Sequence, residues 1–246
     1  MGSDVEPCQL LAWDSDWWGV MTASVALRPF TESAAEEVDR WCRARNVELL
    51  YLLVPADDPG GSRIAEGAGY RLVDTRVALG LDIVDRKPAV RAIPGVAVRH
   101  ALEGDIPPLG DMASRGFLST RFYADPRLPD ARCGELYREW IQKECRGGAD
   151  AVLVAEKGGR PVAYISCHVD HGTAVGRIGL VGVDESSRGR GIGSWLMDRA
   201  VDWFTQEHVQ RVEVVTQVRN VVAQRLYQRK GFLTDGVGLW FHKWFS

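Results

Sequence analysis

The chain has 246 residues, of which 46% are hydrophobic and 26% charged, and its formal net charge is −3. These values suit a globular protein of one large or two small domains, and they give no reason to expect nucleic acid or an anionic membrane as a partner. The five cysteines are scattered without a C-x-x-C pair, so we expect reduced thiols and neither a disulfide framework nor a metal site. The N-terminus lacks a secretory signal, and the longest uncharged run, 17–27, is too short to span a bilayer. We therefore expect a cytoplasmic protein.

The first part of the chain reads as alternating strands and helices. It opens with Trp13, Trp17 and Trp18, which we expect to pack as an aromatic cluster, with ligand stacking as the alternative. Thr31 followed by acidic residues predicts a helix start, and Gly69 predicts a helix end. The predicted elements are a strand at 20–27, a helix at 31–46, a strand at 49–54, a helix at 62–68 and a strand at 70–81.

The second part follows a charged segment, 82–95, which contains Pro88 and Pro94 and is typical of a linker. We expect an N-terminal domain at 1–83, a linker at 84–95 and a C-terminal domain at 96–246. The predicted elements of the last are a strand at 96–99, a helix at 103–114, a loop at 114–129, a helix at 131–146, strands at 151–155, 162–169 and 178–183, a helix from residue 194, a strand at 212–216, a helix at 220–230 and β-structure at 232–245.

A turn rich in glycine and arginine separates the strand at 178–183 from the next helix. Its glycines let an anion approach the backbone closely, its arginines add positive charge, and the helix start offers unpaired N–H groups. We therefore predict a phosphate or pyrophosphate cradle. The P-loop tripeptide Gly-Lys-Ser/Thr is absent, and the glycine spacing differs from the dinucleotide fingerprint. The cradle residues are Arg188, Gly189, Arg190, Gly191, Ile192, Gly193 and Ser194.

The two parts of the chain resemble each other at an offset of 162 residues. Trp41 aligns with Trp203, and Gly69-Tyr70 aligns with Gly231-Phe232. Both segments read helix, strand, helix, Gly-aromatic, strand, which suggests a duplicated unit, with a chance match as the alternative. The first copy has no glycine-rich cradle, so we expect it to bind no cofactor of its own.

Two motifs carry a family resemblance. Arg188-x-x-Gly191-x-Gly193 is similar to the acyl-CoA-binding signature of the GNAT superfamily of N-acetyltransferases, and residues 220–232 resemble that family's N-x-x-A-x-x-L-Y-x-x-x-G-F segment. The order of predicted elements over 96–246 also resembles the GNAT fold. The resemblance implies an α/β (α+β) fold with a mixed central sheet flanked by helices, preceded by a truncated GNAT-like α/β domain.

The GNAT resemblance implies acetyl-CoA as co-substrate and a direct transfer to a primary amine. It assigns the pantetheine arm to Val181 and Val183, the oxyanion donor to the Val183 N–H, and the general acid to Tyr227. The alternative for Tyr227 is a buried side chain that fills the interface between helix and sheet. Gly182 could permit the strand bulge that this family carries. Asn220 is a cofactor contact or an ordinary helix N-cap. The sequence reveals no general base, and His168 and His171 receive no role.

A narrower resemblance concerns the acceptor. The opening WDS with its aromatic pair and glycine, together with Thr120-Arg121-Phe122 and Asp125, is similar to the TDP-fucosamine acetyltransferases, which acetylate the amino sugar of a nucleotide sugar. Arg121 and Tyr123, in the loop that covers the acceptor side in this fold, are candidates for binding the phosphate and the base or sugar ring of the acceptor, with a surface arginine and a packed tyrosine as the alternative. A peptide, polyamine or aminoglycoside amine, or a non-catalytic CoA-binding module, are the alternatives. The oligomeric state stays open, with a homodimer as one option.

Overall fold

The computed structural model describes residues 6–84, 86 and 92–245. Within these residues the chain forms ten strands, all in one sheet, and eight α-helices. In chain order the elements are β1 (Cys8–Leu10), α1 (Ala12–Trp18), β2 (Thr22–Val25), α2 (Glu32–Ala44), β3 (Leu49–Pro55), α3 (Pro59–Gly67), β4 (Arg71–Asp82), β5 (Val96–His100), α4 (Ile106–Gly116), α5 (Arg121–Ala124), α6 (Asp130–Lys143), β6 (Ala151–Lys157), β7 (Arg160–Asp170), β8 (Val175–Val183), α7 (Ile192–Gln206), β9 (Arg211–Gln217), α8 (Val221–Arg229) and β10 (Leu233–Trp244).

The predicted mixed sheet flanked by helices is confirmed, and most predicted elements lie within a few residues of their expected bounds. Two short helices differ from the prediction. Helix α1 occupies the tryptophan-rich segment, where Trp13 and Trp17 lie one helical turn apart and stack with their ring centroids 5.3 Å apart. Helix α5 lies inside the segment 114–129, which the sequence predicts as a loop.

The sheet has the strand order β1-β2-β3-β10-β4-β9-β8-β7-β6-β5. Helices α2, α3, α7 and α8 pack on one face, around core residues that include Leu79 and Phe241, and we call this the α7 face. Helices α1, α4, α5 and α6 pack on the opposite face, around Tyr51 and Tyr164, and we call this the α4 face.

The two parts of the chain share the centre of the sheet. Strand β4 lies between β9 and β10, so the sheet runs across the predicted domain boundary. Adding 162 to the residue numbers of β3, α3 and β4 gives the bounds of β9, α8 and β10 without any adjustment. The pairing follows the same offset, because Leu49 faces Trp244 and Arg211 faces Asp82. An approximate two-fold axis therefore relates the two parts.

The predicted linker at 84–95 is only partly covered, because residues 85 and 87–91 lie outside the described residues. Across the described ranges, no helix is long and apolar enough to cross a membrane.

Candidate active site

Strands β8 and β9 separate in the middle of the sheet. They pair in parallel from Val175 opposite Arg211 to Ile178 opposite Val214, and no further. At this level β8 bulges against β7, because Gly179 and Leu180 together face Ser166, whose hydroxyl accepts the Leu180 N–H at 2.8 Å. The result is a gap between the last five residues of β8 and the end of β9.

The bulge therefore lies at residues 179–180, which corrects the expectation that Gly182 carries it. A Cβ on Gly179 would lie 2.6 Å from the Ser166 hydroxyl, so glycine is required where β8 approaches β7. Gly182 serves another purpose, because a Cβ there would clash with the ring of Tyr164. Both glycines are needed for close packing in this strand.

The backbone of Val183 faces the gap. The Asp184 N–H donates to the Val162 carbonyl at 2.9 Å, so Val183 and its partner Ala163 form the non-hydrogen-bonded type of antiparallel pair. In such a pair the N–H and C=O groups point away from the partner strand. The N–H groups of Val183 and, by alternation, Val181 consequently point into the gap that β9 has left.

The predicted cradle is open. Among the described residues, none accepts a hydrogen bond from the six consecutive backbone N–H groups of Gly189 to Ser194. Gly189 and Gly191 have positive φ angles of 73° and 80°, and no other atom comes within 4 Å of a Cβ built on Gly189. Helix α7 begins here without a side-chain cap and without an acidic residue in its first turn. This arrangement suits a bound anion.

The two cradle arginines differ in their contacts. The Arg188 Nε donates to the Val183 carbonyl at 3.2 Å, which fastens the turn to the end of β8. Arg190 is exposed, and its guanidinium makes no hydrogen bond with any of the described residues. The cradle therefore presents backbone donors, with one arginine holding the loop and the other available to an anion.

Tyr227 lies on α8, close to the cradle. Its side chain is buried on the α7 face in the same cluster as Ile192 and Val183. Burial raises the pKa of the phenol above its ordinary value, and its hydroxyl has no hydrogen-bond partner within the described ranges. Asn220 is the N-cap of α8 and accepts the Ala223 N–H at 3.1 Å, so its side-chain oxygen is used within the helix.

Arg121 faces the sheet from α5. Its guanidinium carbon lies 4.1 to 4.4 Å from the ring centroids of Tyr51, Phe122 and Trp240. Burial lowers the pKa of Arg121, and its Nη1 is buried without a partner. Tyr123 points elsewhere, because its hydroxyl lies 3.2 Å from the position of a Cβ on Gly134 of α6. The structure thus does not bring Arg121 and Tyr123 to one point.

Asp125 has a structural role. Its carboxylate contacts the Nδ1 of His242 at 2.7 Å and accepts the Trp244 Nε1–H at 2.9 Å, which ties α5 to β10. Burial tends to raise the pKa of Asp125, but these hydrogen bonds hold it below its ordinary value. Burial lowers the pKa of His242, and the contact with Asp125 opposes this effect only in part.

Two charged residues of β4 that were not predicted as site residues, Asp74 and Arg76, lie on the α4 face. The Asp74 side chain is 1% exposed, burial raises its pKa, and its nearest cation is Arg219 at 3.4 Å. The Nε of Arg76 is buried without a partner. Alternating polar residues in β4 could have indicated them, but only the sheet order brings this strand beside β9.

The two histidines of H-x-x-H have different surroundings. The His168 Nε2 lies 2.9 Å from the Glu144 carboxylate, whereas His171 is exposed. In the described part of the chain, no group of three or more His, Cys, Asp or Glu residues is arranged to hold a metal ion.

Comparison with known proteins identifies this architecture. Residues 117–232, which contain the cradle and Tyr227, match the Acetyltransferase (GNAT) family. The chain carries a GNAT acetyltransferase domain. It is therefore an acyl-CoA-dependent N-acetyltransferase, as expected from its two motifs, and the six unpaired N–H groups of the cradle suit the diphosphate of coenzyme A.

The chain is also similar to individual known proteins. The chain is 27% identical over 244 residues to a dTDP-fucosamine acetyltransferase from Escherichia coli O6:H1, covering 98% of each chain. It is 24% identical over 201 residues to the spore coat polysaccharide biosynthesis protein SpsD from Bacillus subtilis, covering 80% of this chain and 67% of the relative. Its fold is similar to that of a GCN5-related N-acetyltransferase from Sphaerobacter thermophilus, with a TM-score of 0.68, 18% identity, and coverage of 96% of this chain and 76% of the other.

Proposed function

We propose that this GNAT enzyme transfers the acetyl group of acetyl-CoA to the amine of a nucleotide-linked amino sugar. The observation that carries the donor half is the row of unpaired backbone N–H groups at Gly189 to Ser194, beside the gap between β8 and β9. The acceptor half rests on the similarity to a dTDP-fucosamine acetyltransferase over nearly the whole chain.

The donor is held along the open edge of β8. The cradle N–H groups and the Arg190 side chain bind the diphosphate, and the N–H groups of Val181 and Val183 pair with the amides of the pantetheine arm. Acetyl-CoA supplies an activated acyl group. Asn220 contributes by starting α8, because its side-chain oxygen already accepts a hydrogen bond within that helix.

The transfer is a direct attack. The acceptor nitrogen forms a bond to the thioester carbonyl carbon, and the bond from that carbon to sulfur breaks. The Val183 N–H donates to the carbonyl oxygen as negative charge develops there. Tyr227 donates a proton to the departing sulfur, and the amine loses a proton through water. A phenol whose pKa is raised by burial stays protonated at neutral pH, as a general acid must.

The acceptor is expected on the α4 face. Arg121 is the better of the two predicted contacts, because its unpartnered Nη1 can donate to a polar or anionic group. Tyr123 remains a proposal with weaker support, because its hydroxyl packs towards α6. A polycationic acceptor such as a polyamine is less well matched, because this face presents Arg121 and Arg76.

We also propose that residues 1–83 are a truncated GNAT-like domain without a cofactor site, with 96–246 as the catalytic domain. Cys8 opposite Val25 corresponds in the sheet to Cys167 opposite Ile178. From there six residues, 26–31, lead to α2, whereas thirteen, 179–191, lead to α7. The first copy therefore lacks the length for a cradle. A cytoplasmic location and a homodimer stay predictions.

The proposed function is tested by measuring thiol release from acetyl-CoA with a panel of amines. The panel contains TDP-linked amino sugars, the same sugars without the nucleotide, a polyamine, an aminoglycoside and a peptide. We expect the highest kcat/KM with a TDP-linked amino sugar. Binding of CoA without turnover of any amine would favour the non-catalytic module, and preference for another amine would refute the acceptor class.

A further inference from the structure

A groove on the sheet contains two arginines that the donor site does not use. It has a volume of ≈ 220 Å³ and crosses β4, β10 and β3. The residues that line it include Arg28, Leu53, Arg76, Ala78, Gly236 and Gly238. Most come from the first part of the chain, to which the sequence assigns no chemistry.

Arg76 has no counter-ion in contact. Its guanidinium makes no hydrogen bond or ion pair with the described residues, and its Nε is fully buried. Burial lowers the pKa of Arg76, and the nearby positive charge of Arg28 lowers it further. Glu213 acts in the opposite direction but lies 3.7 Å from Arg177. Two neighbouring cations with one unpaired buried donor form a site that an anion would stabilise.

Arg28 completes the site from the segment after β2. Its Nη1 donates to the Leu53 carbonyl at 2.9 Å, which places the guanidinium at the rim of the groove. The side chain is otherwise exposed, so its remaining donors can reach a ligand. Guanidinium groups bind phosphate oxygens in pairs of parallel hydrogen bonds.

Two glycines on the floor of the groove, Gly236 and Gly238, leave space for a ligand because they have no side chain. No atom lies within 4 Å of a Cβ built on Gly236, so that position opens to free space. A Cβ on Gly238 would lie 2.7 Å from the Leu53 Cδ1, so a larger residue would displace that side chain. Gly238 faces Arg76 across the pair of strands, and its lack of a side chain leaves room beside the guanidinium.

The groove lies within reach of the gap where transfer occurs. Arg76 faces Gln217, the last residue of β9, three residues beyond the level at which β8 and β9 part. Where β8 and β9 still pair, β4 lies two strand spacings of about 4.8 Å from β8, which is about 10 Å. Val215, which faces Ala78 between the two, is 44% exposed, so bare sheet connects gap and groove. A sugar ring and its phosphates can bridge this distance.

We propose that Arg28 and Arg76 bind the diphosphate of the acceptor, a nucleoside-diphosphate amino sugar whose amine reaches the gap along the exposed face of β9. This inference rests on the proposed function and deepens it. It assigns the truncated first part of the chain a task, which is to recognise the anionic part of the acceptor while the second part holds the donor.

The test is steady-state kinetics of four variants with a TDP-linked amino sugar, together with calorimetric binding of TDP alone. In Arg76→Ala and Arg28→Ala we expect the KM for the acceptor and the Kd for TDP to rise about tenfold or more, because each loses hydrogen bonds to a charged group. Arg76→Lys should recover part of the loss. Arg160→Ala, which removes an exposed arginine at the start of β7, is the matched control and should change neither value.

The outcomes separate the two proposals. The Kd for acetyl-CoA should be unchanged in every variant, which shows that the fold and donor site are intact. If wild-type enzyme acetylates the TDP-linked sugar but Arg76→Ala and Arg28→Ala keep its KM and Kd values, the anion site is refuted and the proposed function stands. If wild-type enzyme acetylates only amines without a diphosphate, the proposed acceptor class fails and the anion site fails with it.

Discussion

Tyr227 combines burial with a hydroxyl that no described residue satisfies, and both features concern its chemistry. Burial raises the pKa of the phenol and so keeps it protonated at neutral pH, which donation to a departing thiolate requires. Tyr137 is a useful contrast. It is also buried with a pKa raised by burial, but it lies on α6, where it stacks on Phe117 with ring centroids 4.5 Å apart.

Replacing the phenol isolates its role. We expect Tyr227→Phe to lower kcat by about 10²-fold or more with little change in the KM for acetyl-CoA, because the proton for the departing thiolate is lost while binding is kept. Tyr137→Phe is the control and should retain kcat. Steady-state kinetics of both variants provide the measurement, and an unchanged kcat in Tyr227→Phe would show that another group is the acid.

The cradle glycines provide a second test at this scale. Gly191→Ala forces a side chain into a left-handed conformation where an anion must approach, so we expect the Kd for CoA to rise about tenfold or more. Gly19→Ala carries the same kind of strain at a φ of 72°, far from the cradle. Calorimetry with both variants distinguishes a binding defect from general destabilisation. If Gly191→Ala and Gly19→Ala bind CoA with the same Kd, Gly191 is not part of the binding site.

At the scale of elements, one ion pair links β7 to the turn that follows α6. The Glu144 carboxylate, 2.9 Å from the His168 Nε2, raises the pKa of His168 above its ordinary value. A base whose pKa is raised on folding stabilises the protein fully below its unfolded pKa, and this contribution is lost as the pH rises through the folded value.

Glu144→Gln should therefore lower the Tm more at pH 5.5 than at pH 8.5. The variant must be compared with wild type at each pH, because both contain His242, whose pKa is lowered by burial and whose effect has the opposite sign. Thermal melts at the two pH values provide the measurement. A difference in Tm between wild type and Glu144→Gln that is the same at both pH values would contradict the pairing of His168 with Glu144.

The sequence predicts the cradle and most helices and strands, because each depends on residues that are close together in the chain. The glycines and arginines of 188–194 specify an open helix start, and the apolar spacing specifies α2, α7 and α8. Helix α1 was not predicted, because its tryptophans indicate an aromatic cluster more readily than the spacing of an α-helix. Arg76 escaped because polar residues alternating in β4 are typical of a solvated face. Only the strand order shows that this face adjoins the gap.

At the scale of the molecule, the two parts of the chain share strands as well as sequence. Because β4 is inserted between β9 and β10, removing the first part would expose the edges of two strands and the core residues packed on them. Offset and composition cannot predict this exchange, because a pairing of β9 directly with β10 has the same local pattern.

A chain of residues 92–246 alone is therefore expected to be unstable and inactive, although it contains the whole cradle and Tyr227. Circular dichroism melts and thiol-release assays of the truncated and full chains provide the comparison. Supplying residues 1–84 as a separate chain should restore part of the activity by returning β4. A truncated chain that melts cooperatively and turns over at the full-length rate would show that the second part folds independently.

We expect the backbone N–H groups at the start of α7 to hold the diphosphate of coenzyme A beside the open edge of β8. The most direct measurement is amide NMR of the ¹⁵N-labelled enzyme titrated with CoA and, in parallel, with pantetheine, which lacks the diphosphate. We predict that the amide signals of Gly189 to Ser194 shift with CoA but not with pantetheine. The signals of Val181 and Val183 should shift with either ligand. Saturable binding of CoA that leaves the signals of Gly189 to Ser194 in place would contradict the claim.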